Sequence, residues 1–288
     1  MKISVVIPTY NRSDLLNKTL TSLVSQTLDK SLYEVVVVDD GGVDDSRAVC
    51  EQFQAQINVR YLWQQDLGFR AGKARNLGIT YAEGKYIVLL DCGIVLSPSG
   101  LALHLERHEA DEYAKVIIGY VYGFGATGSD AELLKQCINA DDVEKAIQLA
   151  KEKGLYDIRQ SQYDDLGDNI SAWPAPFDIF WTAHVSAERQ ALIGAGLFDE
   201  GFNSWGGEDV ELGIRLFKHN NKFELDKDIC SIHWPHQADD AELDDKVRQA
   251  GVARLKIKAM HNLWQTSFYD RELGDAIYSL NRVIRAFA

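Results

Sequence analysis

Long apolar stretches are absent from this 288-residue sequence, in which no run reaches the roughly 18 apolar residues that a membrane-spanning helix needs. Its first residues enter a strand-like run at Ile3–Ile7, without the basic segment and long apolar core of a secretory signal peptide. We therefore expect no transmembrane segment and a cytoplasmic location, with peripheral attachment at the inner face of the membrane left open.

Cysteine is scarce and dispersed, since Cys50, Cys92, Cys137 and Cys230 include no Cys-x-x-Cys pair. Such spacing favours reduced thiols in a cytosolic protein over a disulfide framework. Positive charge is also in short supply: 30 Lys and Arg residues stand against 43 Asp and Glu residues, a formal net charge of −13. An acidic chain is a poor general binder of nucleic acid, so we expect no such partner. An anionic ligand would need local Arg or Lys side chains or a metal ion.

Strand and helix patterns alternate over the first 120 residues. Continuous apolar runs, typical of strands buried on both faces, predict strands at Ile3–Ile7, Val35–Val38, Val59–Trp63 and Tyr86–Leu90. Apolar residues at helical spacing predict helices over residues 15–24, 44–54 and 72–81. This alternation indicates βαβ units and an α/β fold with a mainly parallel sheet flanked by helices.

Polar residues follow three of these strands, namely Thr9, Asp39 and Asp91. In open parallel sheets, ligands bind beyond the carboxyl ends of the strands. The three residues therefore predict a ligand site at one edge of the sheet.

The second half of the sequence is less regular. Residues 131–153 form a polar helical stretch, and residues 160–176, rich in Asp, Ser, Gly and Pro, are predicted to be a loop, either mobile over the site or an ordered surface excursion. A second compact stretch covers residues 177–236 and a helical tail follows from residue 241. We divide the chain into a half at 1–120 that contains the strand-end residues, a second half at 121–240 and a helical tail at 241–288.

The segment Trp205-Gly206-Gly207-Glu208-Asp209 precedes a helical pattern. Acidic residues in a first helical turn stabilise the helix dipole by about 0.3–1 kcal/mol, which is the simpler explanation of the two carboxylates. It does not explain two glycines beside a large aromatic side chain, because glycine gives up backbone order. A sugar resting on the tryptophan face, with a carboxylate at one of its hydroxyls, explains both.

Three motifs in the first hundred residues, Val5–Arg12, Val37–Gly42 and Ala74–Ile79, resemble the family 2 glycosyltransferases of GT-A fold. Phe198–Phe217 resembles the galactosyltransferase-type C-terminal half and is similar to bacterial chondroitin-polymerase modules. The likeness covers residues 2–100 and 177–236. It implies a Rossmann-like GT-A fold and an inverting, hexosyltransferase-type enzyme that uses a UDP-hexose or UDP-N-acetylhexosamine donor.

The resemblance implies that Asp39 accepts a hydrogen bond from the imide N–H of uracil, a bond that the charge strengthens. The simpler alternative is an Asp that caps the turn after its strand. Arg70 lies just before a helix, where its guanidinium suits a base carbonyl or a diphosphate. Alternatively, it is a solvated surface residue. Arg75 either also binds the ligand or only packs within its helix. The full predicted donor set is Pro8, Thr9, Tyr10, Arg12, Asp39, Asp40, Arg70, Lys73, Asp91 and Cys92.

Asp91 stands where the family has a metal-binding Asp-x-Asp motif, but Gly93 replaces the second carboxylate. The resemblance implies His233 as a second ligand, with His236 as a substitute. Imidazole suits Mn²⁺ better than Mg²⁺, and both ions also take phosphate oxygens and water. Alternatively, His233 is a hydrogen-bonded residue at a strand end, and Arg and Lys side chains alone carry the phosphate charge.

The resemblance implies that Asp209 is the general base and that Glu208 holds the acceptor together with Trp205, Gly206 and Gly207. The acceptor class, whether glycan, peptide, lipid-linked sugar or small metabolite, is left open. A non-catalytic or hydrolytic nucleotide-sugar-binding protein remains an alternative because of Gly93. A nucleotidyltransferase is disfavoured, because residues 8–12 after the first strand contain no glycine for a phosphate loop.

Overall fold

The computed structural model describes residues 1–139, 142–235, 240–271 and 279–287. Within them, eight strands form one sheet: β1 (Ile3–Thr9), β2 (Tyr33–Asp39), β3 (Val59–Trp63), β4 (Tyr86–Leu90), β5 (Ile94–Leu96), β6 (Lys115–Tyr122), β7 (His184–Glu188) and β8 (Lys222–His233). Their order across the sheet is β3-β2-β1-β4-β7-β6-β8-β5.

The described helices flank this sheet and continue beyond it. They are α1 (Ser13–Val24), α2 (Ser46–Phe53), α3 (Ala71–Tyr81), α4 (Gly100–Glu109), α5 (Gly128–Cys137), α6 (Val143–Glu152), α7 (Gln160–Leu166), α8 (Arg189–Gly194), α9 (Glu208–Lys218), α10 (Asp240–His261) and α11 (Leu280–Phe287). Short 3₁₀ turns cover Ile170–Ala172, Pro176–Ile179 and Thr266–Asp270. None of these described helices combines the length and the apolar character needed to cross a membrane.

The sheet is mixed, and the four strands that the sequence predicts form a continuous parallel part of it. Strands β3, β2, β1 and β4 are parallel neighbours, as are β6 and β8, whereas β4–β7, β6–β7 and β5–β8 are antiparallel pairs. The prediction of a mainly parallel sheet is thus confirmed.

Alternate residues of β1 and β2 pack against opposite faces of the sheet. Val6, Val36 and Val38 belong to a cluster that includes α3, and Val5 and Val35 belong to one that includes α1. The α3 helix lies especially close, since a Cβ on Gly78 would come within 2.4 Å of Val6 Cγ1. This contact fixes α3 over the strand ends, and its side chains with it.

Three sequence-based predictions of local structure need correction. Residues 160–176 are not a plain loop, because α7 and a 3₁₀ turn occupy much of the segment. The stretch 131–153 is two helices rather than one, with Asp142 capping the second by accepting the N–H of Lys145 at 3.1 Å. The tail is interrupted after α10, where Asn262 adopts φ 44°.

A buried ion pair explains why the 157–181 segment is ordered. The side chains of Asp157 and Arg159 are 0% and 1% exposed and approach to 2.6 Å. Asp157 also accepts the N–H of Val121 at 2.9 Å, and the Arg159 guanidinium lies 5.5 Å from the ring centre of Trp181. Burying a charge is tolerated only when it is paired and hydrogen-bonded, so this pair ties the irregular segment to the end of β6.

We expect Asp157→Asn to lower the free energy of unfolding by about 3–5 kcal/mol, because it leaves the Arg159 charge buried without a counter-ion. Urea unfolding at neutral pH, followed by circular dichroism, measures the change. The control is Glu51→Gln, which breaks the exposed Arg47–Glu51 pair and should leave stability nearly unchanged. A loss for Asp157→Asn as small as that of the control would contradict the assignment.

Candidate active site

The strand ends converge as predicted from the sequence. Thr9 and Asp39 are register partners in the parallel pair β1–β2, and the N–H of Asp40 donates to the carbonyl of Thr9 at 2.9 Å. Asp91 follows β4, the other neighbour of β1. The sheet therefore brings the three polar residues to one edge.

Both carboxylate oxygens of Asp39 have partners within the protein. Oδ1 accepts the N–H of Gly42 at 2.7 Å, and Oδ2 accepts the Tyr61 hydroxyl at 2.7 Å, with Asp39 only 1% exposed. Burial, reinforced by the bond to Asp39, raises the pKa of Tyr61. The turn cap considered for Asp39 is thus present, and Tyr61, which the sequence did not single out, holds the second oxygen.

Tyr10 is exposed beside this carboxylate and donates its hydroxyl to Asp66 Oδ2 at 3.0 Å. That bond, followed by the charge of Asp66, raises the pKa of Tyr10. An exposed aromatic ring therefore stands near Asp39, where a base could stack.

Asp40 and Arg70 hold each other in the described conformation. Asp40 Oδ2 accepts the backbone N–H of Arg70 at 2.9 Å, and Asp40 Oδ1 lies 3.3 Å from Arg70 Nη2. Arg70 also donates to the carbonyl of Gln65, and its Nε is buried without a partner. Asp40 thus fixes the loop before α3, and Arg70 is folded against that loop rather than solvated.

The remaining residues of the predicted donor set have different environments. Cys92 Sγ contacts Thr9 Oγ1 at 3.7 Å and the carbonyl of Arg12 at 3.6 Å, and burial raises its pKa to about 12. Pro8 is half-buried near the end of β1. Lys73 is 44% exposed, and its Nζ lies 3.8 Å from Glu200 Oε2. Its side chain therefore points to the segment before Trp205–Asp209.

Arg75 connects the two halves of the site. Its Nη2 donates to Asp91 Oδ1 at 2.8 Å and its Nη1 to Glu208 Oε1 at 3.1 Å, while the side chain is 5% exposed. Arg75 Nε and Glu208 Oε2 are buried and have no hydrogen-bond partner among the described residues. From the sequence, Arg75 could either bind a ligand or pack within its helix. Its contacts show that it bridges Asp91 and Glu208.

Asp209 occupies the first turn of α9, after Gly206 and Gly207 adopt φ values of 87° and 94°. Burial raises the pKa of Asp209 to about 8, and the Glu208 charge adds to the effect, while the N–H of Val210 and the Arg75 charge oppose it. An Asp with a raised pKa is suited to proton transfer. Trp205 lies half-buried at the start of the same turn.

His233 is brought close to Asp91 by the antiparallel pair β5–β8. His233 is the register partner of Ile94, and the N–H of Trp234 donates to the carbonyl of Gly93 at 2.8 Å. The described part of the chain contains no group of three or more His, Cys, Asp or Glu side chains arranged to hold a metal. His236 lies outside the described residues. Two protein ligands fit a cation only if phosphate oxygens or water molecules complete its shell.

Comparison with known proteins identifies the family. Residues 4–180 match the family model described as glycosyl transferase family 2. Validoxylamine A glucosyltransferase of Streptomyces hygroscopicus subsp. jinggangensis (strain 5008) is 34% identical over 82% of this chain and 56% of its own length. Chondroitin synthase of Escherichia coli is 29% identical over 84% of this chain and 36% of its own. This chain thus spans roughly half, or less, of these relatives.

Two solved structures share the fold. S. aureus TarS 1-349 in complex with UDP-GlcNAc has a TM-score of 0.61 at 17% identity, covering 100% of this chain and 74% of that one. The mannosyltransferase PcManGT from Pyrobaculum calidifontis in complex with GDP-Man and Mn²⁺ has a TM-score of 0.62 at 15% identity, covering 98% and 68%. The predicted GT-A fold and the resemblance to family 2 glycosyltransferases and chondroitin polymerases are confirmed.

We expect Asp209 to titrate near pH 8, far above the usual Asp value of about 4. Glu208→Gln should lower this pKa, because removing a neighbouring negative charge favours the ionised form. Carboxyl ¹³C NMR measures it, with Asp209→Asn identifying the signal and the exposed Glu144→Gln as control. A midpoint near 4 in the unmodified protein would contradict the electrostatic assignment.

Proposed function

Since this chain belongs to glycosyl transferase family 2, we propose that it transfers a sugar from a nucleoside diphosphate donor to an acceptor nucleophile, with inversion at the anomeric carbon. The observation that carries the proposal is the Arg75 bridge between Asp91 and Glu208. It joins the strand ends suited to a donor with the helix start that carries Asp209. Names of relatives and of a complex with UDP-GlcNAc support a UDP-hexose or UDP-N-acetylhexosamine donor.

In the proposed donor site, Asp39 accepts the imide N–H of uracil with its remaining lone pairs, and Tyr10 stacks on the base. Thr9, Pro8, Arg12 and Cys92 line the neighbouring wall. Arg70 reaches the diphosphate by leaving Asp40, a move that its unpartnered Nε favours. Lys73, near the same helix start, adds positive charge.

In the proposed transfer, Asp209 takes the proton from the acceptor nucleophile as that atom attacks the anomeric carbon. The bond from this carbon to the diphosphate oxygen breaks on the opposite face. The unpartnered Glu208 Oε2 accepts a hydrogen bond from an acceptor hydroxyl, and Trp205 with Gly206 and Gly207 supports the acceptor sugar. A raised pKa makes Asp209 a stronger base once it is ionised.

Asp91 and His233 are the residues that would hold Mn²⁺ or Mg²⁺, with the donor diphosphate supplying further oxygens. Such an ion neutralises charge on the leaving diphosphate. Arg75 already partners Asp91, which weakens the attraction of the carboxylate for a cation. We therefore propose that the metal binds together with the nucleotide rather than before it.

The proposal extends to the organisation of the chain. Residues 1–120 supply the donor half, residues 121–240 the acceptor half with the base, and residues 241–288 a tail. A cytoplasmic setting agrees with a UDP-sugar donor, and the acceptor is a hydroxyl-bearing glycan, peptide, lipid-linked sugar or small metabolite.

We expect Asp209→Asn to lower transfer by about 10²–10⁴-fold, the usual contribution of a general base, while the affinity for UDP stays unchanged. UDP release across a panel of UDP-sugars and acceptors measures transfer, and calorimetry measures UDP binding. Asp228→Asn, at an exposed position in β8, is the matched control. Near-full transfer by Asp209→Asn would show that Asp209 is not the base.

The same assay separates the alternative functions. UDP release without acceptor product in the unmodified protein would favour a hydrolase, and pyrophosphate release would favour a nucleotidyltransferase.

We expect chelator-stripped protein to bind Mn²⁺ at least about ten-fold more tightly with UDP present than without it, because phosphate oxygens complete the coordination shell. Mn²⁺ electron paramagnetic resonance measures the bound fraction. His233→Ala should weaken the UDP-dependent binding, whereas His219→Ala, at an exposed site, should not. Equal Mn²⁺ binding with and without UDP would contradict the proposed site.

A further inference from the structure

The α10 helix lies against the turn that carries the proposed base. Gln249 Oε1 accepts the backbone N–H of Trp205 at 2.7 Å. The Gln249 amide nitrogen in turn donates to the Asp245 carboxylate one turn earlier on the same helix. This second bond orients the amide so that its oxygen faces Trp205.

The position of α10 explains why residue 207, the second of the two adjacent glycines, has no side chain. A Cβ on Gly207 would lie 2.6 Å from Ala253 Cβ, closer than real contacts allow, whereas a Cβ on Gly206 would lie 3.8 Å from Ala250 Cβ, an ordinary contact. Both glycines have positive φ, which favours glycine at either position. Only Gly207 is also required by the close approach of α10.

Further contacts anchor α10 on both sides of the turn. Lys256 Nζ donates to the carbonyl of Gly201 at 2.8 Å and lies 3.7 Å from the ring centre of Phe202. Farther along, His261 Nε2 lies 2.9 Å from Glu211 Oε1 on α9. The segment from residue 201 to residue 211 is therefore held at several points by one helix that lies beyond residues 4–180, the part matching the family model.

We infer that α10 is a clamp that sets the conformation of the Trp205–Asp209 turn, with Gln249 as its positioning residue. By holding the Trp205 N–H and closing the space beside Gly207, the clamp restricts the turn to one conformation and so fixes where Asp209 and Glu208 point. Asp39 and Asp91 are held by Tyr61 and Arg75 instead. The turn reaches Asp91 only through the Glu208–Arg75 contact, so the clamp governs acceptor use and leaves donor binding nearly unchanged, a consequence that rests on the proposed transferase function.

The first test is hydrogen–deuterium exchange, read by mass spectrometry on peptides from the 203–208 turn and from the middle of α9. Gln249→Ala should speed exchange of the Trp205 amide by about ten-fold or more, since a lost bond opens the turn locally. Exchange in α9 should not change. The double variant D245N/Q249E, which exchanges the amide and carboxylate positions while keeping both hydrogen bonds, should restore protection. Leu255→Ala, on the exposed face of the same helix, is the control.

Unchanged Trp205 exchange in Gln249→Ala, or equal acceleration throughout α9, would overturn the inference. A failure of D245N/Q249E to restore protection would also count against it. These readouts require no activity, so they decide the inference even if the unmodified protein transfers no sugar, a result that would refute only the proposed function.

The second test uses the glycine pair. Gly206→Ala and Gly207→Ala should both speed exchange in the turn, because both positions need positive φ. Ala253→Gly should reverse part of the effect of Gly207→Ala and none of the effect of Gly206→Ala, since only the first clashes with α10. Equal responses of the two variants to Ala253→Gly would overturn the proposed contact.

The kinetic arm connects the clamp to the reaction. Gln249→Ala should raise the acceptor KM and lower kcat, with UDP affinity unchanged, whereas D245N/Q249E should return both parameters toward those of the unmodified protein. A loss of UDP affinity equal to the loss of acceptor use would indicate general damage rather than loss of a positioning contact.

Discussion

The buried Arg75 charge is the constraint on which the site depends. A cation that is 5% exposed is tolerated only with counter-charges at hydrogen-bonding distance. Asp91 provides one at the end of a central strand, and Glu208 provides the other at the start of α9. Because α3 is pressed onto β1 at Gly78, Arg75 cannot shift far. Asp91 and Glu208 must therefore lie where Arg75 can reach both, and this places the two halves of the site side by side.

The charge balance around Arg75 also sets the chemistry. One guanidinium, Arg75, stands among three carboxylates: it binds Asp91 and Glu208 directly and acts on Asp209 only through its charge. Burial and the Glu208 charge therefore raise the pKa of Asp209. A group of like charges kept from water is a recurring means of producing a base that functions near neutral pH. The same acidity means that a bound diphosphate would depend on Arg70 or on a cation.

Prediction from the sequence succeeded where local pattern decides structure. The strands Val59–Trp63 and Tyr86–Leu90 have the bounds that their apolar runs predict. The loop predicted over residues 160–176 is wrong because Arg159, buried against Asp157 and next to Trp181, organises a polar segment whose composition alone favours a loop. Tyr61 was missed because strand alternation gives no sign that its hydroxyl reaches a carboxylate on the next strand.

The sequence by itself determined four of the eight described strands, the carboxylates at their ends and the family, because these follow from side-chain periodicity and from motifs of adjacent residues. Tertiary structure alone decided which carboxylates share a cation, since Arg75 and Glu208 are 133 residues apart. It also decided why Gly207 has no side chain, since α10 packs there. Pairing and close packing depend on distances in space, and no local pattern in a sequence encodes those distances.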